Sequence, residues 1–296
     1  MDQEGPGANG RAAAELGAVP ETLLWTLHHR AAEARRPDAV IHDPWAVELA
    51  DALDVPFERR FGPAPEALAQ WQALRALCFD RAIATFLARN PGASVVALGE
   101  GLETQFWRVD DGRVRWLGVD LPETVELRRR VLPPPPRQRL VACSVTDERW
   151  LDEVAATRPV LVTAQGLLMY LTPDEVHRLI ATCARRIPAG LLLFDAVSRR
   201  VAERTRERPL GAEGGYRPPP WTWGIDAAER RRIRAIPRIA SLRTLALPRG
   251  RTPFFRWLLP AAALAPPLRR ALLSIELARI GPTAQKTSAR GRPPRG

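Results

Sequence analysis

Two glycines and one aspartate carry the first chemical hint in this chain. The segment "VVALGEGLET", residues 95–104, is an apolar run that breaks into Gly99-Glu100-Gly101, and the next apolar run, "VRWLGVD", ends at Asp120. Glycines in a strand-to-helix turn let a ligand approach the backbone closely. A carboxylate at the end of the following strand, some twenty residues on, can accept hydrogen bonds from both hydroxyls of a ribose. Asp120 alone could equally cap the helix that begins near "LPETVELRRR"; the pairing with Gly99 is what points to a nucleoside.

The neighbouring residues narrow the nucleoside. Position 104, where a dinucleotide fingerprint carries its third glycine, is a threonine, and Glu100 and Glu103 would repel a pyrophosphate. A nicotinamide cofactor is therefore disfavoured. A nucleoside that carries a cation and no phosphate suits three carboxylates better. S-adenosylmethionine, an adenosine joined through a sulfonium to an amino-acid tail, is such a molecule.

The elements that must position these residues follow from the apolar pattern. "SVVALG" (94–99), "VRWLGVD" (114–120), "RLVACS" (139–144), "PVLVTAQG" (159–166), "GLLLFDAV" (190–197) and "SIELARI" (274–280) are short runs, several apolar on successive residues. That pattern fits strands buried on both faces of a parallel sheet. Between the fourth and fifth lies a helix with Thr172 as N-cap, Pro173 at its first position and Glu175 closing a capping box. Strand and helix in this rhythm predict an α/β fold with a doubly wound, mostly parallel, Rossmann-like sheet.

Ahead of the first strand, residues 19–90 read as a helical lid region, and 91–281 as the core of a single 19–281 domain. Segment 198–224, rich in charge, glycine and proline, reads as an extended connection, and "FFRWLLPAAALAPPLRRALL" as a core-packing helix broken by prolines. Residues 1–18 and the basic 282–296 lack any apolar period and read as disordered.

Composition excludes several classes. The chain has 296 residues, and 46% of them are hydrophobic, enough for a large core. No run reaches the ~18 apolar residues of a membrane helix, and the start is not a signal peptide; a cytoplasmic protein without a membrane partner is expected. Cys78, Cys143 and Cys183 are scattered and match no metal spacing, nor do the four histidines, so reduced thiols and no metal are expected. The formal charge of +11 raises nucleic acid as a partner. Yet Lys286 is the only lysine, the arginines fall everywhere, and the "RRR" runs carry no interleaved aromatics for base stacking. The pattern specifies no oligomeric state.

Four stretches, "TLLWTLHHRAAEARRPDAVIHDPWAVEL", "VVALGEGLET", "WLGVDLPE" and above all "VTAQGLLMYLTPDEV", resemble the leucine carboxyl methyltransferase family, in its bacterial branch near polyketide-tailoring O-methyltransferases. The similarity runs from about residue 22 to 280. It implies a class I methyltransferase fold, S-adenosylmethionine as donor, and a small-molecule carboxylate or hydroxyl as acceptor. It also implies that Arg75 pairs with the methionine carboxylate, that Gly99 and Gly101 meet the donor through their backbone, and that Asp120, with Leu121 after it, holds the ribose. Ser144-Val145 stands where the family usually has Asp-Leu at the adenine. Gln165 stands where it usually has Glu, near the donor's amino group. Both departures remove a charge-assisted hydrogen bond, so a nucleoside binder without turnover is the competing expectation.

On the acceptor side the candidates are Tyr170, just beyond the fourth strand, His28 in the lid helix as a base, and Trp223 as a pocket wall beside Trp221. A carboxylate acceptor is ionised at neutral pH and needs no base, whereas a phenol or alcohol needs one.

Overall fold

The computed structural model describes residues 18–154, 158–208, 216–262 and 273–281. The expected disordered ends lie outside these, except that Ala18 already begins the first helix. That helix, α1 (Ala18–Ala34), is followed by α2 (Pro44–Ala52), α3 (Phe57–Phe61) and α4 (Glu66–Arg89). Asp43 starts α2 by accepting the Ala46 amide, with Pro44 at the first helical position, where a missing N–H costs nothing.

Seven strands then form one sheet: β1 (Ser94–Leu98), β2 (Arg115–Asp120), β3 (Gln138–Ala142), β4 (Val160–Ala164), β5 (Gly190–Val197), β6 (Ile239–Leu245) and β7 (Leu273–Ile280). Their spatial order is β3-β2-β1-β4-β5-β7-β6. The first five run parallel, and β7 runs antiparallel to both β5 and β6. β1 and β4 are buried along their whole length, as expected for strands covered on both faces. The expected doubly wound, mostly parallel sheet is therefore present.

The helices on the sheet are α5 (Gln105–Val109), α6 (Pro122–Val131), α7 (Pro173–Arg186), α8 (Arg199–Glu207) and α9 (Ala227–Ala235). α7 has the expected capping box, Thr172 Oγ1 accepting the Glu175 amide while the Glu175 carboxylate accepts the Thr172 amide. Val176, Leu179, Ile180 and Cys183 form its buried stripe against β4 and β5.

Three expectations differ from the structure. The 19–90 region is not all lid, because α4 packs Phe79, Ile83, Phe86 and Leu87 into the same core as Val95, Leu161 and Leu277 of the sheet. Segment 198–224 is not wholly extended: Ser198 accepts the Val201 amide and starts α8, whose buried Ala202 and Thr205 are two small residues on a charged helix. "FFRWLLP" is not core: Phe254, Trp257 and Leu258 are 48%, 58% and 62% exposed, in a π-helical turn (Phe254–Leu258) running into the short helix Leu259–Ala262. Only Phe255 of that turn is buried, and residues 263–272 of the expected helix lie outside the described residues. The three cysteines are buried and free, as expected. Among the described residues no helix is long and apolar enough to cross a membrane, and no side-chain group could hold a metal ion.

Candidate active site

The register of the sheet sets the site. Leu98 lies opposite Val119 on one side and Ala164 on the other, and Ala164 opposite Phe194. The next residue on each strand is Gly99, Asp120, Gln165 and Asp195, so four positions distant in sequence form one row at the carboxyl edge. β1 and β4 flank the point where the strand order reverses, which is where such sheets open into a ligand crevice. A cavity of 330 Å³ lies there. It is lined by Arg75, Gly99, Gly101, Asp120, Leu121, Ser144, Val145, Gln165 and Tyr170, nine of the residues singled out from sequence.

The turn after β1 is held by Asp120. One carboxylate oxygen accepts the Gly101 amide at 2.7 Å and the other the Leu121 amide at 2.8 Å. Each oxygen keeps lone-pair capacity for a further donor. Burial raises the pKa of the Asp120 carboxyl against these two amides. Gly99 and Gly101 both have positive φ, +60° and +54°. A Cβ at Gly99 would stand 2.9 Å from Leu167 Cδ1, and one at Gly101 3.2 Å from Leu23 Cβ of α1. The second glycine thus lets the lid helix close over the turn.

Glu100 and Glu103 are not the free carboxylates expected to welcome a cation. Glu100 turns under the sheet edge and accepts from Trp116 Nε1 at 2.9 Å, Arg128 Nη2 at 3.0 Å and Gln138 Nε2 at 3.0 Å. Its complete burial raises its pKa to about 7, opposed by Arg128. Burial alone would also raise Glu103, but Arg30 and Arg108 hold it at about 2. These two arginines fasten the lid to the core: Arg30 of α1 donates to Asp43, Glu103 and the Leu102 carbonyl, and Arg108 of α5 to Asp43 and Asp80. Thr104, at the third-glycine position, donates to Asp43, so its side chain closes the lid contact.

Arg75 projects from α4 into the cavity wall and donates from Nη1 to Asp195 Oδ2 at 3.1 Å. Asp195 Oδ1 accepts the Gly166 amide at 2.7 Å. Asp195 was missed in the sequence, although an acid inside the apolar run "LLLFDAV" was a readable signal, because a buried carboxylate needs a partner. Gln165 donates from Nε2 to Glu103 Oε2 at 2.9 Å, which turns its oxygen away. Among the described residues, Gln165 Oε1 and Arg75 Nε are buried polar atoms without a hydrogen-bond partner.

Two acceptor-side candidates stand elsewhere. His28 donates from Nε2 to the Gly62 carbonyl at 3.0 Å and stacks on Phe57, and it does not line the cavity. Burial lowers its pKa. Trp223 is core: its Nε1 donates to Glu229 and its ring packs on Phe194. The loop geometry explains this, since Thr222 and Trp223 are bonded to the Met169 carbonyl and folded beneath the "GLLMYL" turn. Tyr170 does line the cavity, and burial raises its pKa.

A model of the leucine carboxyl methyltransferase family matches residues 24–184, more than half of the chain. The chain belongs to the leucine carboxyl methyltransferase family. It is accordingly an S-adenosylmethionine-dependent methyltransferase with the Rossmann-like class I fold. Within the wider group it is similar to the tetracenomycin polyketide synthesis O-methyltransferase TcmP of Streptomyces glaucescens, 38% identical over 62% of this chain and 67% of that one. It also resembles the S-adenosyl-L-methionine-dependent methyltransferase dpfgK of Gibberella zeae, 33% identical over 71% and 76% of the two chains.

Proposed function

We propose that this methyltransferase acts on oxygen and that its acceptor is the carboxylate of a small molecule. The observation that carries this reading is the make-up of the cavity wall. Among the described residues no histidine lines it, and Glu100 and Glu103 are consumed by arginines. Asp120 is held by two backbone amides, and Tyr170 has a raised pKa. Glu100 has a pKa near neutrality, but both its oxygens are taken by Trp116, Arg128 and Gln138, so none of these groups presents a free basic atom to an acceptor alcohol. A carboxylate arrives already ionised.

The donor supplies a methyl group on a sulfonium, which leaves as a neutral thioether. The residues fit its amino-acid tail by complementarity: the orphaned Gln165 Oε1 is an acceptor suited to an ammonium, and the orphaned Arg75 Nε a donor suited to a carboxylate. Asp120 offers free lone pairs to a ribose, and Ser144 and Val145 stand at the far end of the cavity wall for the adenine. Arg75 would be held by Asp195 while it binds, so its orientation does not depend on ligand.

Catalysis then rests on alignment and exclusion of water, with effective molarities of ~10⁵ M or more in favourable cases. α1 supplies the exclusion, since Thr22, Leu23 and Thr26 form the lid side of the cavity. These residues, with Tyr170 and Leu171, give the acceptor side aliphatic and aromatic surface interspersed with hydroxyls. TcmP is a polyketide O-methyltransferase by name, and an acceptor of that kind, in secondary metabolism, fits such a wall.

The test is a panel of matched aromatic acids and their primary alcohols, incubated with methyl-labelled donor. Base-labile methyl esters from the acids alone support the reading. Ethers from the alcohols overturn it, and donor binding with no transfer to any member favours a binder without turnover.

A further inference from the structure

A second cavity lies at the opposite edge of the sheet, with a volume of 790 Å³. It opens over the amino ends of β4 and β5 and the end of β7, between α4 and the edge strand β6. Its floor is apolar, formed by Phe86, Leu191, Leu245 and Leu277. Its rim carries Arg81 and Arg89 of α4, Arg158 ahead of β4, Arg243 of β6 and Arg279 of β7, and among the described residues no acidic side chain lines it. Among the described residues, Arg81, Arg89, Arg243 and Arg279 are exposed and form no ion pair. Buried arginines elsewhere are tied to carboxylates, as at Arg30, Arg108 and Arg230.

Five like charges around one concavity repel one another, and an anion relieves that repulsion. We propose that this cavity binds a small amphiphilic anion, an apolar skeleton ending in a carboxylate or phosphate. The pairing of β6 with β7 builds it: Ser241 lies opposite Arg279 and Arg243 opposite Leu277, so charge and apolar surface alternate on one sheet face. α4 reaches the end of β6, where Cys78 Sγ donates to the Ala246 carbonyl, and Leu245 between them is only partly buried, so the cavity lies along the seam of helix and edge strand. The volume lies in the ~300–1,000 Å³ range of small-ligand sites. Residues 282–296, which follow the lining residue Gly281, carry Lys286, Arg290, Arg292 and Arg295 and no acidic side chain to offer it.

The site is separate from the methyl-transfer cavity. The two share α4, through different residues, and open at opposite strand ends. Its occupation is therefore measurable without any turnover.

The experiment titrates the full chain calorimetrically with decyl phosphate and decanoate below their micellar concentrations, with decanol as the neutral control. Binding of both anions, at least tenfold tighter than decanol and weakened by added salt, is expected. Arg243→Glu with Arg279→Glu should lower anion affinity about tenfold or more, and the paired Arg→Gln changes should fall between. Arg113→Glu with Arg129→Glu alters the same net charge on distant exposed residues and should leave binding unchanged. S-adenosylmethionine binding, measured on every variant, reports an intact fold. No anion binding, equal loss in the distant variant, or binding only to anionic vesicles or an acidic peptide overturns the proposal.

Discussion

Gln165 donates its amide hydrogen to the Glu103 carboxylate across 2.9 Å, in a row of residues that closes the carboxyl edge of the sheet. Glu103 is at the same time held ionised, with a pKa of about 2, by Arg30 and Arg108. A carboxylate at position 165 would therefore face a permanent negative charge. The glutamine removes that conflict and leaves its oxygen, without a partner among the described residues, for a ligand.

Gln165→Glu is thus expected to destabilise the ligand-free protein at pH 8 by about 1–3 kcal/mol through like-charge repulsion. The introduced acid has a raised folded pKa, so its cost is present above that pKa and fades as pH falls below it. Thermal melts at pH 5 and pH 8 give the comparison. A variant as stable as wild type at pH 8 would show that position 165 does not sense Glu103.

Gly118 tests the packing beneath the site. A Cβ there would lie 2.2 Å from Glu100 Oε2 and 2.7 Å from Leu140 Cδ2. Gly118→Ala must displace Glu100 from Arg128 and Trp116, and a loss of about 2–4 kcal/mol in urea unfolding is expected. An unchanged unfolding midpoint would mean that Glu100 has another place to go.

Glu100 also predicts a pH dependence. Its folded pKa, about 7, lies above the ordinary carboxyl value because of burial. Between pH 4.5 and 7 the folded state holds more protons than the unfolded chain, so this group makes stability fall as pH rises through that window. Glu100→Gln removes the slope, while the other titrating groups contribute to both proteins alike. Subtracting the two stability profiles should leave a decline of a few kcal/mol from pH 4.5 to 7. A flat difference would contradict the assignment.

His28 lies outside the cavity, bonded to Gly62 and stacked on Phe57. His28→Ala should lower stability by about 1–2 kcal/mol through lost packing and leave kcat/KM for a carboxylate acceptor within about twofold. The pH–rate profile between pH 6 and 9 should be the same in wild type and His28→Ala, any ionisation in that range belonging to another group such as Glu100. A bell-shaped profile that His28→Ala abolishes would restore the histidine as a base.

The parallel half of the sheet was legible because strands buried on both faces are written as unbroken apolar runs, as in "SVVAL" and "VLVTA". β6 was not, since "IASLRTL" is an edge strand with Ser241 and Arg243 exposed and so lacks that run. α8 was hidden by a surface of alternating charge with only Ala202 and Thr205 buried. At the site, Gly99 and Asp120 were legible from position, whereas Arg75 and Gln165 came only from the family resemblance. The fate of Glu100 and Glu103 was not, because Arg30, Arg108 and Arg128 reach them from three other helices. Trp223 was misread for the same reason: its partner Glu229 comes from α9.

The most direct measurement is calorimetric titration of wild type and Asp120→Ala with S-adenosylmethionine. One equivalent should bind wild type at micromolar affinity, and the folded variant should bind about ten- to a hundredfold more weakly, the equivalent of ~1–3 kcal/mol for lost hydrogen bonds to a charged group. Unchanged affinity in a folded Asp120→Ala protein, or no binding to wild type, would contradict the placement of the donor at the end of β2.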